Sequence, residues 1–165
     1  MESPRELLAR LAATPRTLAH LVVEADDALL DREEPGRWSA RTVLAHLRDE
    51  EYLGMRPAMA RILAEDVPEL VFLSGDDWEP RRNRARDRKD MILGDFALQR
   101  QASLNILNNL QPEDWQRRGR AADREFTLMQ LAATWAKHDT EHIAELERIA
   151  GETAAEAMAR RARPE

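Results

Sequence analysis

The segment TLMQLAATWAKHDTEHIAELERIAG, residues 127–151, decides the fold of this chain. Its apolar side chains recur at intervals of three and four, a spacing that forms one stripe along an α-helix. Thr127 is a suitable N-cap, and Gly151 is a residue at which helices commonly stop. The segment therefore predicts an amphipathic helix that ends before Gly151. The stripe consists of Leu128, Leu131, Ala132, Trp135, Leu146 and Ile149.

Two of the four histidines of the chain fall on this stripe. Stepping by three and four from Trp135 leads to His138, His142 and then Leu146. Residues four apart on a helix have Cβ atoms roughly 5–6 Å from each other. Two imidazoles at that separation can converge on one ion, with metal–nitrogen bonds of about 2.0–2.1 Å. Hydrogen-bonded core histidines are an equally good interpretation of the pair alone.

Three further segments carry helical periodicity. The first runs from Pro4 to about Leu30, with a kink or break expected at Thr14-Pro15. The second begins at the N-cap Ser39 and continues to about Ala64, and the third spans residues 87–110. Their predicted inward positions are Leu7, Leu8, Leu11, Leu18, Leu21, Val22, Ala25 and Leu29, then Val43, Leu44, Leu47, Leu53, Gly54, Pro57 (where a bend is expected) and Ile62, then Ile92, Phe96, Leu98, Leu104 and Leu107.

The composition favours helices, because Ala, Leu, Glu and Arg dominate and only 6 residues are glycine. No segment shows the alternation of a strand. Residues 65–86 lack a sustained period and predict a long loop between helices 2 and 3, of the kind that often has a function. The sequence thus predicts an all-α four-helix bundle over residues 1–150, followed by a C-terminal tail or short outer helix over 151–165. The tip of the loop carries Phe72, Asp76, Asp77 and Trp78.

Composition also excludes several classes of function. The chain has no cysteine, so a transition-metal site must consist of histidine and carboxylate ligands. The formal net charge of −6 argues against nucleic acid as a partner, and the basic stretch RRNRARDRK (81–89) is interpreted as a solvated helix start or loop. No apolar run approaches the roughly 20 residues that cross a bilayer. We expect a cytoplasmic protein without a membrane partner.

A third histidine is predicted to face the same interior. His46 follows Val43 by three residues and precedes Leu53 by seven, and Glu50 shares its side one turn later. His20, in contrast, lies off the stripe of its helix and predicts a surface residue. Three neutral imidazoles with open coordination positions are typical of a catalytic metal site. Three separate core histidines are the alternative, which costs desolvation at each ring.

Two stretches resemble the DinB-like family of helical bundles, also called the DinB/YfiT-like metalloenzymes. They are GRWSARTVLAHLRDEE (36–51) and LMQLAATWAKHDTEHIAELERI (128–149), with weaker matches at GDDWEPR (75–81) and LQPEDWQRRGR (110–120). The resemblance implies a four-helix bundle that often forms homodimers. It also implies that His46, His138 and His142 bind a divalent ion, nickel, zinc or iron. The protease motif HExxH is absent, because Asp139 follows His138 and Glu141 faces away from the ion.

An ion held by three histidines with open positions can acidify a bound water, and this chemistry needs only water and the ion, so it predicts a metal-dependent hydrolase acting on an unknown small molecule. The resemblance implies an alternative, a thiol-dependent S-transferase or isomerase that uses a low-molecular-weight thiol, and a metal-binding bundle without catalysis is the third possibility. Glu50 is the candidate partner of His46 or proton shuttle, unless it pairs with an arginine on the helix flank. Asp49 and Asp139 are weaker candidates of the same kind, expected to face solvent.

The remaining candidates surround this interior. The loop at Trp78 is predicted either to cover the metal or to close the end of the bundle. Trp38 and Trp135 predict packing residues, Trp38 against the start of the second helix. Arg37, Arg81 and Arg82 are candidates for binding an anionic group of the substrate, but their spacing does not single them out.

Overall fold

The computed structural model describes residues 2–72, 75 and 87–161, with side chains described as far as residue 151. In these residues Ala40–Glu50 (α3) and Arg56–Ala64 (α4) are joined through a π-turn at Glu51–Met55 into one rod, which packs against Lys89–Leu107 (α5) and Leu128–Arg161 (α6). The first helix, Pro4–Leu21 (α1), packs against the same two long helices. The predicted all-α four-helix bundle is confirmed. The helices are α1 Pro4–Leu21, α2 Asp27–Leu30, α3 Ala40–Glu50, α4 Arg56–Ala64, α5 Lys89–Leu107 and α6 Leu128–Arg161.

Side-chain caps begin the two rods that carry the three inward histidines. The amide of Thr42 donates to Ser39 Oγ at 3.2 Å, and the amide of Gln130 donates to Thr127 Oγ1 at 3.2 Å. Each hydroxyl therefore satisfies an amide that has no partner inside its helix. Both predicted N-caps are confirmed, and they set where the rods of the site start.

The first helix differs from its prediction. Helix α1 passes through Pro15 without a break and ends at Leu21, while α2 is a separate short helix. Proline has no amide hydrogen, so the carbonyl of Leu11 lacks its usual intrahelical donor. Arg100 of α5 supplies that donor, with Nη1 at 2.9 Å from the Leu11 oxygen. A tertiary contact thus allows Pro15 inside the helix, and the predicted break was wrong.

The π-turn changes which residues of the second rod face inward. A π-turn closes i→i+5 bonds, so it accommodates one residue more than an α-helical turn. Glu51 and Met55 are consequently buried, whereas Leu53, predicted to face inward, is 55% exposed. Because of the extra residue, the apolar faces of both α3 and α4 point to the core. Pro57 lies just after the π-turn and has no amide hydrogen to donate to the preceding turn of the rod.

Buried apolar side chains form two clusters in the described residues. One contains Leu7, Leu11, Met55, Ala58, Met59, Ile62, Leu70, Leu104, Leu107, Trp115, Leu128, Leu131, Ala132, Trp135 and Ala136. The other contains Leu18, Val22, Leu30, Ala40, Val43, Leu44, Ala45, Leu47, Ile92, Phe96, Leu146 and Ile149. Most predicted inward positions belong to these clusters, but Leu98 is 71% exposed and was wrongly assigned to the core.

A small antiparallel hairpin precedes α6, and the sequence did not predict it. Strand β1 (Arg118–Ala121) pairs with β2 (Arg124–Thr127). The loop after α4 joins this hairpin, because Leu70 donates its amide to the carbonyl of Arg120 at 2.7 Å. A Cβ at Gly119 would lie only 2.8 Å from Leu70 Cδ1 and 2.9 Å from Ile62 Cγ1, so glycine allows the hairpin to pack directly on α4. The hairpin forms one end of the bundle.

Helix α6 is longer than predicted, since it continues through Gly151 to Arg161. Glycine inside a helix costs only about 1 kcal/mol relative to alanine, and the Ala- and Glu-rich residues after it are good helix formers. None of the described helices is both long and apolar enough to cross a bilayer.

Candidate metal centre

Three histidines from two rods meet in the interior. His46 lies on α3, and His138 and His142 lie one turn apart on α6. Nε2 of His46 is 3.0 Å from Nε2 of His138, and one ring nitrogen of each histidine lies within 4.8 Å of those of the other two. His46 is 4% exposed, and the other two rings are half-buried. We call His46, His138 and His142 the histidine cluster.

The geometry of the histidine cluster fits a shared cation. Two nitrogens bound to one ion at about 2.0–2.1 Å, with an angle of about 90–110°, lie roughly 2.9–3.4 Å apart. The 3.0 Å between His46 and His138 falls in that range. Separations of up to 4.8 Å elsewhere in the cluster require a small inward rotation of a ring. The donor set, three imidazoles without a thiolate, suits nickel, zinc or iron.

The protonation state of the imidazole rings also suits metal binding. Burial, together with the neighbouring His142 and His46, lowers the pKa of His138 to about 4. His138 is therefore neutral near pH 7, with a lone pair on one of its nitrogens. A metal ligand must be in this form.

Glu145 orients His142. The carboxylate accepts a hydrogen bond from Nδ1 of His142 at 3.2 Å, which leaves Nε2 for the cluster. Carboxylates that hold the second nitrogen of a metal-binding histidine fix its tautomer and raise its basicity. Glu145 was not among the residues predicted from the sequence, although it lies three residues after His142 on the same face of the helix. That spacing makes Glu145 a candidate partner of His142, and the hydrogen bond in the structure selects it.

Trp38 and Gly75 form a wall of the cluster. The Trp38 indole stacks on the His142 ring, with centroids 6.0 Å apart, and meets the edge of the His46 ring at 4.8 Å. A Cβ at Gly75 would lie 2.8 Å from both His46 Cε1 and Trp38 Cη2, so only glycine allows the backbone to come this close. Trp38, predicted to pack at the start of the second helix, thus also covers the imidazoles.

Glu50 faces a cavity next to the cluster. Its carboxyl group lies over the backbone of Gly54, where a Cβ would be 2.8 Å from Glu50 Cδ. Burial raises the pKa of Glu50 above its usual range. The cavity, which we call the Glu50 cavity, has a volume of about 640 Å³. It is lined by Glu50, Met55, Phe72, Ala121, Arg124, Glu125, Phe126, Gln130, Leu131, Ala133 and Thr134.

Asp139 is buried, contrary to the expectation that it faces solvent. Two nitrogens of Arg100 contact its carboxylate at 2.6 and 3.1 Å, and Thr14 Oγ1 donates to it at 2.7 Å. Arg100 also contacts Glu51 at 2.9 Å. Asp139 therefore belongs to a buried ion cluster directly behind His138. Glu141 lies on the outer side of α6, as predicted, and pairs with Lys137.

The other candidates lie apart from the histidines or outside the described residues. Asp49 is 7% exposed rather than solvent-facing and contacts Arg48 at 2.8 Å. Arg37 pairs with Glu34. His20 is exposed, as predicted, and Trp135 is buried in the core. The predictions for Asp76, Asp77, Trp78, Arg81, Arg82 and most of the basic stretch 81–89 fall on residues that the structure does not describe.

Comparison with known proteins agrees with this architecture. The solved structure of YfiT from Bacillus subtilis, described as a probable metal-dependent hydrolase with an unusual four-helix bundle topology, is similar with a TM-score of 0.84. The match covers 92% of this chain and 87% of that chain at 19% sequence identity, and it shows a shared fold. No curated protein matches the sequence. The family model of the DinB superfamily matches residues 10–146, and the chain therefore belongs to the DinB superfamily.

Proposed function

We propose that the protein is a metal-dependent hydrolase in which His46, His138 and His142 bind one divalent cation. The observation that carries this proposal is the 3.0 Å approach of two imidazole nitrogens from different rods, with a third imidazole beside them. The description of YfiT as a probable metal-dependent hydrolase supports the same class of reaction. Nickel, zinc and iron are the candidate ions.

Three protein ligands leave coordination positions for water and substrate. When bound, a divalent ion supplies Lewis acidity, which activates water for attack near neutral pH and polarises the bond to be cleaved. The residues around the histidine cluster have different roles. Glu145 holds His142 in the tautomer that directs Nε2 inward, and Trp38 excludes solvent from one side of the rings.

Glu50 is the proposed proton shuttle. Its position on the wall of the Glu50 cavity places the carboxyl where a substrate would enter, one turn along the rod from His46. Burial raises its pKa, which favours exchange of a proton near neutral pH. Gly54 leaves the space in which the carboxyl lies. These contacts support a role in proton transfer more directly than a role in orienting His46.

Metal analysis of purified, untagged protein tests the proposal. We expect stoichiometric nickel, zinc or iron in the wild type and its loss in His142→Ala. His20→Ala is the matched control, since it removes an exposed histidine outside the cluster and should leave the metal content unchanged. Equal metal content in all three samples would exclude the histidine cluster as the binding site.

Removal of the Glu145 carboxylate is expected to weaken metal binding about 10–100-fold, because His142 loses the partner that fixes its tautomer. Competition with a chromophoric chelator measures the change in affinity. Glu141→Ala is the control, because Glu141 is an exposed glutamate on the other side of the same helix, paired with Lys137. A similar affinity in Glu145→Ala and Glu141→Ala would contradict an orienting role.

Glu50→Gln is expected to stabilise the metal-free protein at about pH 7 relative to the wild type, and to lose this advantage at about pH 4. Because burial raises the pKa of Glu50, the folded state keeps this proton to a higher pH than the unfolded state does, and above that pH the ionised carboxylate is buried at a cost. The free energy of unfolding of the wild type therefore falls as the pH rises above about 4.3, the ordinary pKa of glutamate. Glutamine cannot lose a proton and avoids this cost.

Thermal unfolding with a chelator, at both pH values, measures this difference. The exposed Glu113 provides the control variant Glu113→Gln, for which no such gain is expected. If the stability of the wild type and that of Glu50→Gln depended on pH in the same way, the carboxyl of Glu50 would not be desolvated in the folded protein.

The family resemblance also supports a second function, a thiol-dependent S-transferase or isomerase. The same open coordination positions would then accept a thiolate. Titration of the cobalt-substituted protein with a low-molecular-weight thiol distinguishes the two, because a thiolate ligand changes the visible spectrum of cobalt and a hydrolase predicts no change. If the bundle binds metal without catalysis, chelation lowers the melting temperature while no ester, amide or thiol substrate is turned over.

The resemblance further supports a homodimer, and light scattering of the purified protein tests it, since a monomer mass would contradict it. The cytoplasmic location predicted from the sequence is tested by cell fractionation.

A further inference from the structure

We propose that the Glu50 cavity selects a small substrate with an apolar body and an anionic group that binds Arg124. This inference deepens the proposed hydrolase function and rests on it. It assigns the chemistry of the substrate, a role for Arg124, and the direction in which the substrate lies.

The near end of the cavity lies one helical turn from the histidine cluster, and the cavity extends away from the cluster along both rods. Glu50 lies one turn after His46, and Thr134 lies one turn before His138. Gln130 lines the cavity a further turn away, about 12 Å from His138 along the helix axis. An elongated molecule in the cavity would therefore have one end at the histidines and the other at the hairpin.

The middle part of the Glu50 cavity is apolar. The buried side chains of Met55 and Leu131 form part of the wall. The rings of Phe72 and Phe126 face each other with centroids 6.3 Å apart, and Phe72 remains 38% exposed. Apolar side chains with a few polar groups at the ends are typical of small-molecule sites. The wall therefore favours a hydrocarbon or aromatic body.

The hairpin end carries a positive charge that has no carboxylate partner among the described residues. Arg124 of β2 lines the cavity, and it forms no ion pair with any residue that the structure describes. The neighbouring carboxylate of Glu125 is held by Arg120 at 2.6 Å and by Arg118 at 3.6 Å. A guanidinium whose donors are available binds carboxylate, sulfonate or phosphate groups with two hydrogen bonds. The anionic end of the substrate is therefore expected at Arg124.

The end of the cavity lined by Glu50 favours the orientation in which the bond to be cleaved lies at the histidines. When Glu50 is ionised, its carboxylate repels an anion, so the reversed orientation of the substrate is disfavoured. The two ends of the cavity thus discriminate between the two possible orientations. A substrate with a neutral scissile bond and a distant anionic group satisfies both.

Calorimetric titration of the metal-loaded protein with 4-phenylbutyrate and its neutral analogue 4-phenylbutanamide tests this assignment. We expect the wild type to bind the carboxylate about tenfold or more tightly than the amide. Arg124→Gln should lose this preference while keeping its affinity for the amide. Arg88→Gln is the control, since Arg88 is an exposed arginine that does not line the cavity, and it should keep the preference.

Three outcomes would overturn the assignment. They are no binding of either probe to the wild type, equal binding of both probes, or a preference that persists in Arg124→Gln. If the preference persists there and disappears in His142→Ala, the anion binds at the histidines instead. Metal content measured on the same samples separates the two proposals, because retention of metal in His142→Ala contradicts the metal site, whereas the role of Arg124 is judged from Arg124→Gln alone.

Discussion

Replacement of Arg100 by methionine is expected to lower the free energy of unfolding by about 3–5 kcal/mol. Arg100 is 1% exposed and lies between the carboxylates of Asp139 and Glu51, which are also buried. Without the guanidinium, two buried carboxylates lose their partner and repel each other. The carbonyl of Leu11, left without a donor by Pro15, loses its hydrogen bond as well. Urea unfolding of the variant beside the wild type measures the loss.

Two variants show whether the loss comes from unpaired buried charge. Arg88→Met removes an exposed arginine, and we expect it to change stability by no more than about 0.5 kcal/mol. A triple variant that combines Arg100→Met with Glu51→Gln and Asp139→Asn removes all three charges, and it should recover much of the loss. Similar stabilities for Arg100→Met and Arg88→Met would show that the buried cluster contributes nothing.

Removal of the bound metal is expected to lower the free energy of unfolding by about 4 kcal/mol when free metal exceeds its dissociation constant a thousandfold. The histidine cluster forms only in the folded protein, because His46 and His138 are 92 residues apart in the chain. A cation held there connects α3 to α6 and stabilises the folded state by mass action. Unfolding curves recorded with added metal and with a chelator measure the difference.

His46→Ala separates metal binding from other effects of the chelator. The stability of this variant should be the same with metal and with chelator, whereas His20→Ala should respond like the wild type. A wild type whose unfolding midpoint does not depend on metal would contradict the site, whatever the effect of Arg100→Met. The two predictions are therefore independent.

The helical rods and the facing of the histidines were predictable because both depend on short-range periodicity. Ser39 and Thr127 begin their helices as N-caps, and each can be recognised from neighbouring residues alone. His46, His138 and His142 fall on apolar stripes whose period is visible in the sequence. Three inward imidazoles predicted a shared ion, the family resemblance implied the same three ligands, and the structure brings the rings together.

The features that sequence reasoning missed depend on contacts between distant residues. Pro15 stays inside α1 because Arg100, from another rod, bonds to the carbonyl of Leu11. Asp139 looked solvent-facing beside the polar residues of its helix, but its partner Arg100 is 39 residues away. The hairpin strands have four residues each, too few to show alternation, and they depend on packing against Ile62 and Leu70.

Glu145 and Glu50 show a different limit. Both are glutamates near a histidine on a helix, and spacing alone does not separate their roles. Glu145 bonds to His142, while the carboxyl of Glu50 lies over Gly54 at the cavity. The roles of the two glutamates differ because their side chains point in different directions and because residues of several elements line the Glu50 cavity. Neither is encoded in local periodicity.

The π-turn at Glu51–Met55 has a consequence for how this rod can change. An α-helix advances by about 100° per residue, so deletion of the extra residue would rotate α4 by that angle relative to α3. The rotation of α4, which bears Met59 and Ile62, relative to α3, which bears His46, is therefore set by the number of residues in the π-turn. A single insertion or deletion there would change it. One residue in this turn thus sets how the histidine-bearing part of the rod is oriented relative to the part that packs in the core.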